Sequence, residues 1–183
     1  MNKNSYKISD DISDCTCAYI AGLLDGEGSI TISRSDDISK GYSYCRFRMG
    51  VTISNSYMPV LNEIHNALGG YFGLQKEANT DGRGVHSNKD MYEWNVRDSE
   101  AMMFLLDFKK YIRVRLKQAE LAIKFQELKN RRRGFSNSSN YTVYTPYWAE
   151  MKKLNHAITN EEYASVITCA RKDGSLDNFV GVD

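Results

Sequence analysis

Polar and apolar side chains alternate strictly along two neighbouring stretches in the first third of the chain. Residues 29–33 read Ser-Ile-Thr-Ile-Ser, and residues 42–53 place Phe47 and Met49 on the opposite side from their polar neighbours. This period of two is typical of a strand with one buried face. The segment 35–41 between the two stretches predicts the turn of a β-hairpin.

Helical patterns surround this hairpin. The almost wholly apolar run over 15–24 follows Ser13, a good helix N-cap, and stops at the glycines of 26–28, so this helix must be buried on more than one side. The other predicted elements are helices over 56–68, 98–107, 114–132, 146–156 and 160–171, and strands over 71–76 and 91–97 on either side of a polar loop at 79–89. Hairpins joined through helices predict an α+β fold, with an αββαββα core, a four-stranded antiparallel sheet and additional C-terminal helices.

The pattern also suggests how the chain is divided. We expect an N-terminal tail (1–12), a core (13–133), a linker rich in Ser and Asn (134–145) and a C-terminal helical extension (146–183). A chain of 183 residues can bury roughly two thirds of its unfolded surface, so it needs no disulfide or metal to stabilise a core. The mean hydropathy of −0.52 and the lack of a long uncharged apolar run predict no membrane partner.

Cysteine and histidine spacing excludes several kinds of site. Only Cys15 and Cys17 are neighbours, and a single C-x-C without a second pair is not zinc spacing, so we expect reduced thiols. His65, His86 and His156 are scattered and form no metal-binding or nuclease motif based on histidine. The first 14 residues have no apolar region of the secretory kind, and they contain three Asp and no Arg, so we expect neither a secretory signal nor a mitochondrial transit peptide there.

Charge is balanced overall but unevenly distributed. The net charge is +1, yet residues 109–133 contain ten Lys or Arg and two acidic residues, a local charge of +8 that leaves −7 for the rest. Such a block can neutralise phosphates and attract a polyanion. The alternative is a solvated face of a long helix, because Lys and Arg are good helix formers.

The polar face of the predicted sheet is a second candidate surface. Arg, Asn, Gln and Tyr along strands offer the donors and acceptors that base edges and phosphates require, although the same face could simply meet solvent. The candidate nucleic-acid-binding residues on this face are Thr31, Ser33, Ser35, Tyr44, Arg46, Arg48, Tyr71, Gln75, Glu93, Asn95 and Arg97, to which the basic segment adds Arg113.

The end of the first helix concentrates the unusual chemistry. Small residues recur every four positions at Ala18, Gly22 and Gly26, which makes a smooth stripe that another helix can approach closely. Asp25 and Glu27 lie at the helix C-terminus, where the helix dipole disfavours carboxylates. A bound divalent cation reverses that preference, and a carboxylate with helix-end carbonyls suits Mg²⁺.

This segment carries a family resemblance. The run I20-A-G-L-L-D-G-E-G28 resembles the LAGLIDADG nonapeptide of homing endonucleases, and the predicted order of elements over 13–133 is similar to the fold of that family. Only one copy of the motif is present, and single-copy members are homodimers. The resemblance therefore implies a homodimer whose motif helices pack together through Ala18, Ala21 and Gly22.

The resemblance also implies site residues. It makes Glu27 the metal-binding carboxylate and Gly26 the donor of a backbone carbonyl to Mg²⁺ or another divalent cation. It places a basic residue near the scissile phosphate, for which Arg115 matches best, followed by Lys117 and Arg113. The implied reaction is metal-assisted phosphodiester hydrolysis.

Two further positions are read from the same resemblance. Asp25 is expected to be structural rather than a ligand. Single-copy members often have Gln at the end of the second strand, where this chain has Ile53. That departure leaves open whether Ser54, Asn55 or Arg48 serves there instead.

The sequence thus predicts a site-specific endonuclease that cuts both strands of a long pseudo-palindromic duplex DNA. The alternative is a non-catalytic nucleic-acid binder with the same fold, either an intron RNA maturase or a DNA-binding regulator. A helical protein-interaction module is a third possibility, but it leaves the polar sheet face unexplained. Analogy with the family places such a protein in an organelle or in a microbial cytoplasm.

Overall fold

The structure is a computed structural model that describes residues 5–9, 11–39, 42–78, 88–132 and 137–156, with the backbone alone for 36–39, 42–44 and 137–140. Several features of the sequence analysis lie outside this description. They are the helix predicted over 160–171, most of the loop at 79–89, and the side chains of Tyr44, His86, Arg133 and Cys169.

The described residues form five helices and four strands in the predicted order. The elements are α1 (Asp14–Glu27), β1 (Gly28–Ser39), β2 (Tyr42–Asn55), α2 (Met58–Leu68), β3 (Tyr71–Lys76), β4 (Met91–Arg97), α3 (Asp98–Phe108), α4 (Leu116–Arg131) and α5 (Asn137–Leu154). The strands make one four-stranded sheet in the order β1-β2-β4-β3, which confirms the predicted α+β fold with an antiparallel sheet. None of the described helices has the length and apolar character that crossing a membrane requires.

Helix α1 begins and ends as its sequence indicates. The Ser13 hydroxyl accepts a hydrogen bond from the Thr16 amide at 3.1 Å and so caps the first turn. At the other end, the Gly28 amide donates to the Leu24 carbonyl. A Cβ at Gly28 would lie 2.6 Å from the Leu24 side chain, so only glycine allows the chain to turn into β1 this closely.

The chain divides into two compact units. The first comprises Met1–Ser29 and Val51–Arg115. Its core is aromatic: Trp94 lies 5.2 Å from Phe104 between ring centroids, and Phe104 stacks on Phe108 at 4.5 Å. The indole N–H of Trp94 donates to the Gly69 carbonyl at 2.7 Å, so this buried polar group is satisfied.

The second unit comprises Ile30–Gly50 and Leu116–Asp183. Among its described residues, Tyr144 of α5 packs edge-on against Phe47 at 5.8 Å and against Phe125 at 5.4 Å. These contacts explain a departure from the sequence analysis, which predicted a linker over 134–145. Residues 137–154 instead form one helix. The first turns have a low intrinsic helix propensity, but burial of Tyr144 and its neighbours stabilises the helix by tertiary packing.

Two other boundaries differ from prediction for local reasons. Strand β1 continues to Ser39, where a turn over 35–41 was predicted. Strand pairing uses backbone N–H and C=O groups, so polar side chains do not prevent the strand from continuing. Helix α2 begins two residues later than predicted, because the Asn55 side chain accepts a hydrogen bond from the Tyr57 amide at 2.8 Å and holds a turn there.

Candidate functional site

Glu27 ends helix α1 with its side chain exposed. Its carboxylate makes no hydrogen bond or ion pair with the part of the chain that the structure describes. The neighbouring Gly26 is also exposed, and an added Cβ there would meet no atom within 4 Å. Because the last carbonyls of a helix lack intrahelical partners, the Gly26 carbonyl is a second hard oxygen donor at this end of α1.

The oxygen donors at this end of α1 could supply part of the coordination of a divalent cation. Within the described ranges, no group of three or more His, Cys, Asp or Glu residues is placed to hold a metal ion. Mg²⁺ in proteins is commonly held by one or two carboxylates while it keeps several waters. Glu27 and the helix-end carbonyls of one chain could therefore contribute to a magnesium site without completing it.

Asp25 is oriented away from such a role. Its Oδ2 accepts hydrogen bonds from the amides of Arg113 at 2.8 Å and Val114 at 3.1 Å, and its Oδ1 accepts one from the Arg115 amide at 3.0 Å. Three backbone donors hold both carboxylate oxygens. This geometry agrees with the structural role expected for Asp25.

Arg115 returns a contact to α1. Its Nε donates to the Leu24 carbonyl at 2.9 Å, and that carbonyl already accepts the Gly28 amide. The side chain is half-buried, whereas the side chains of Arg113 and Lys117 are exposed. Of the three basic candidates, Arg115 is therefore the one whose direction is set by the end of the motif helix.

A second acidic residue, Asp14, anchors the opposite end of α1. It accepts a short hydrogen bond from the Tyr111 hydroxyl and lies 3.4 Å from Lys110 Nζ. The Tyr111 hydrogen bond and then the charge of Lys110 hold the pKa of this carboxyl below its ordinary value. Residues 110–115 are thus tied to α1 near both of its ends.

The predicted polar face of the sheet is exposed along the strand residues that belong to the second unit. Thr31, Ser33 and Ser35 of β1 point to solvent while Ile30 and Ile32 are buried. Strand β2 alternates likewise, since Arg46 and Arg48 are exposed and Phe47 and Met49 are buried. The side chain of Tyr44 lies outside the described residues.

The strand face in the first unit agrees less well. Tyr71, Gln75 and Arg97 are exposed and Glu93 is half-buried, but Asn95 is only 6% exposed, so the expectation that it adds to the exposed polar face is wrong. Asn95 lies opposite Tyr71 in the β3–β4 register, and its side-chain Nδ2 donates a hydrogen bond to Glu93 Oε1 at 2.8 Å. The side chain is held by its neighbours and is not presented to solvent.

The predicted pairing stripe on α1 also needs one correction. Ala18 and Gly22 are exposed, but Ala21 is fully buried in the core of its own chain and offers nothing to a partner. Tyr19, which the sequence analysis did not select, is 56% exposed beside them. The sequence feature that could have pointed to Tyr19 is an aromatic residue next to the small residues of the same helix.

Ile53 lies fully buried in the core, so its side chain cannot take the polar role that the family often places at that strand end. Among the alternatives, the Asn55 side chain accepts the Tyr57 amide, Arg48 is exposed and Ser54 is half-buried.

The backbone partners of Asp25 were not predicted from the sequence. A hint was available, since residues 113–115 contain no Ser, Thr, Asp or Asn to cap the helix that follows.

Sequence comparison identifies one matching family. The profile described as LAGLIDADG endonuclease matches residues 20–129, which begin at the motif in α1 and end in α4. No curated protein sequence matches the chain at a significant level.

Structural comparison finds homing endonucleases solved with DNA. The homing endonuclease I-CvuI in complex with its target and Ca has a TM-score of 0.58 at 18% identity, over 87% of this chain and 95% of that one. An archaeal intron-encoded homing endonuclease, I-Vdi141I, complexed with DNA, has a TM-score of 0.56 at 15% identity, over 87% and 98%. I-SmaMI bound to uncleavable DNA has a TM-score of 0.57 at 15% identity, over 92% of this chain and 51% of that one. At these identities the likeness establishes a shared fold.

Proposed function

Since the chain belongs to the LAGLIDADG endonuclease family, we propose that it is a site-specific, divalent-cation-dependent endonuclease that acts as a homodimer on both strands of duplex DNA. The observation that carries the proposal is Glu27, an exposed carboxylate at the motif position that ends α1. The family match supports nuclease chemistry, and the fold shared with DNA-bound homing endonucleases supports duplex DNA as the partner.

The residues at the end of α1 would hold the cation. Glu27 supplies a carboxylate and Gly26 a backbone carbonyl, both hard oxygen donors. When bound, the cation stabilises negative charge that develops at the phosphate and lowers the pKa of water. Arg115 and Lys117 would bind phosphate oxygens and neutralise their charge. These assignments rest on the motif, on the exposed side chains of Glu27 and Lys117, and on the hydrogen bond that directs Arg115 towards the end of α1.

The homodimer is supported by Gly22. A glycine within a helix costs about 0.5–1 kcal/mol relative to alanine. Gly22 is exposed, and a Cβ there would meet nothing within 4 Å, so packing within the described chain gives no reason for a glycine. Close approach of a second α1 helix supplies that reason. A two-fold dimer would read a pseudo-palindromic target, one half-site for each sheet.

One observation favours the alternative of a non-catalytic nucleic-acid binder, an RNA maturase or a regulator. The buried Ile53 removes a polar side chain that single-copy members often carry at this strand end. Under this alternative the strand face of Arg46 and Arg48 would still bind nucleic acid, and Glu27 would be dispensable.

The test begins with a target. Selection of cleaved sequences from a randomised duplex library with Mg²⁺ would report activity, recognition sequence and symmetry together. On the selected duplex, Glu27→Gln should lose cleavage and keep its affinity, because the substitution removes one charged ligand and little of the DNA-binding surface. Glu63→Gln, a change of the same kind on the exposed face of α2, is the matched control.

Cleavage by Glu27→Gln at the rate of the unmodified protein would refute the role of Glu27. Failure of the unmodified protein to cleave any library member, with retained binding to RNA or DNA, would instead favour the maturase or regulator.

A further inference from the structure

We propose that Asp25 is a positioning residue for the reaction, because it forms with Arg115 a reciprocal latch between the end of α1 and the turn of residues 113–115. The inference rests on the proposed nuclease function and adds to it. In this latch the acid holds the turn through backbone amides, and the arginine of the turn holds the end of the helix. The latch sets where the Arg115 guanidinium lies relative to the helix that ends in Glu27.

The first half of the latch is the Asp25 carboxylate. Its two oxygens accept three consecutive amides, those of Arg113, Val114 and Arg115, at 2.8, 3.1 and 3.0 Å. A carboxylate that accepts three backbone donors forms charge-assisted hydrogen bonds, which are stronger than neutral ones. These contacts span 88 to 90 positions in sequence, so they fix a turn that local sequence does not stabilise.

The second half is the Arg115 side chain. Its Nε donates to the Leu24 carbonyl at 2.9 Å, one residue before Asp25. A guanidinium carries five N–H groups in a rigid plane, and this bond uses one of them. The plane is therefore oriented, and no contact within the described part of the chain uses the four N–H groups on the terminal nitrogens, which can form a fork of the kind that binds phosphate oxygens.

The location of Asp25 supports a positioning role. A carboxylate at a helix C-terminus is disfavoured by the helix dipole, so Asp25 is not there to stabilise α1. The residue lies two positions before Glu27 in the same helix. Because an α-helix is stiff over two residues, a turn anchored at Asp25 is held in register with Glu27.

The test compares Asp25→Ala and Asp25→Asn with Ile64→Val. Alanine removes all three acceptors. Asparagine keeps one oxygen, which can accept the Arg113 and Val114 amides, and loses the acceptor for the Arg115 amide. Ile64 is buried in α2, which packs on β4 and β3, so its truncation lowers the melting temperature without removing a hydrogen bond of the turn.

Four quantities are measured on each full-length variant: hydrogen exchange of the amides at 113–115, melting temperature, DNA affinity with Ca²⁺, and the single-turnover cleavage rate with Mg²⁺. Asp25→Ala should lose exchange protection at 113–115 and cleave about 10²-fold more slowly, since a displacement of about 1 Å at a reacting centre has that effect. Its DNA affinity should change much less. Asp25→Asn should lose protection at Arg115 alone and cleave about tenfold more slowly.

Coupling to Arg115 gives a second criterion. Arg115→Lys keeps the charge and loses the planar fork, so it should also slow cleavage, and adding Asp25→Asn to it should slow cleavage by less than the product of the two single effects. If Asp25→Ala does not fold, Asp25→Asn and Arg115→Lys decide the matter.

The proposal is overturned if the Asp25 variants cleave as fast as Ile64→Val at an equal loss of melting temperature, or if the amides at 113–115 show no protection in the unmodified protein. Absence of cleavage by the unmodified protein refutes the nuclease function itself, so the two failures are distinguishable.

Discussion

Trp94 shows how one side chain can contribute twice to stability. It is fully buried against Phe104, and its indole N–H donates to the Gly69 carbonyl. Packing and hydrogen bonding therefore coincide at one residue. A phenylalanine in its place would leave both a void and an unpaired carbonyl.

Trp94→Phe should accordingly lower the free energy of unfolding by about 2–3 kcal/mol, as measured by urea denaturation. The matched control is Trp148→Phe in α5, where a half-exposed indole contacts the cations of Arg34 and Lys152 at 5.4 and 4.8 Å. Phenylalanine keeps an aromatic face for both cations, so weakening these contacts should cost less, about 0.5–1 kcal/mol in total. Equal effects of the two substitutions would contradict this account of Trp94.

Sequence alone identified the residues of the candidate site unevenly. Glu27 and Gly26 are recognisable because the motif that contains them is continuous in the chain. The partners of Asp25 were not predictable, because they follow it by about 90 positions and are backbone groups without a residue signature. Ala21 and Asn95 were misjudged because alternation and spacing do not report which neighbours cover a side chain.

At the scale of elements, helix α1 is held at its first turn by Asp14. The Tyr111 hydroxyl and then Lys110 hold the pKa of this carboxyl below its ordinary value of 3.8. A carboxyl whose pKa is lower in the folded than in the unfolded chain stabilises the fold above the unfolded value. That stabilisation is lost as the pH falls through the lower, folded value.

Asp14→Asn should therefore reduce the melting temperature at pH 6 and have a progressively smaller effect as the pH falls below 3.8. Thermal unfolding of both proteins between pH 2 and pH 6 measures the difference. The side chain is largely exposed, so the effect should be small and should weaken with added salt. A difference that grows towards low pH would show that the sign assigned to Asp14 is wrong.

Elements with a strong local pattern were predicted to the residue, and others were not. The bounds of β3 and β4 match the prediction, since each strand is flanked by turn-forming or polar residues. Helix α5 was predicted only from Pro146 onward, because its first turns are rich in Ser and Asn. Its aromatic side chains pack on Phe47 and Phe125, a tertiary effect that outweighs helix propensity.

At the scale of the whole molecule, the proposed function requires two chains. A single chain presents one Glu27 and an exposed Gly22. A Cβ added at Gly22 would meet no atom of the described chain within 4 Å. A large side chain at Gly22 should thus be tolerated by the isolated subunit and resisted by the dimer.

Gly22→Leu should keep its circular dichroism spectrum and sediment at half the mass of the unmodified protein, with loss of double-strand cleavage. Asn62→Leu, an equally large apolar change on the exposed face of α2, should sediment as the unmodified protein does. A dimer formed by Gly22→Leu with normal cleavage would exclude pairing through this face of α1.

The distribution of tryptophan has a practical consequence. The chain contains two, Trp94 in the first compact unit and Trp148 in the second. Each unit thus carries its own fluorophore, one shielded from water and one partly wetted. Heating the unmodified protein beside Trp148→Phe and following the emission wavelength would report whether the units melt in one cooperative step or in succession, before any DNA is added.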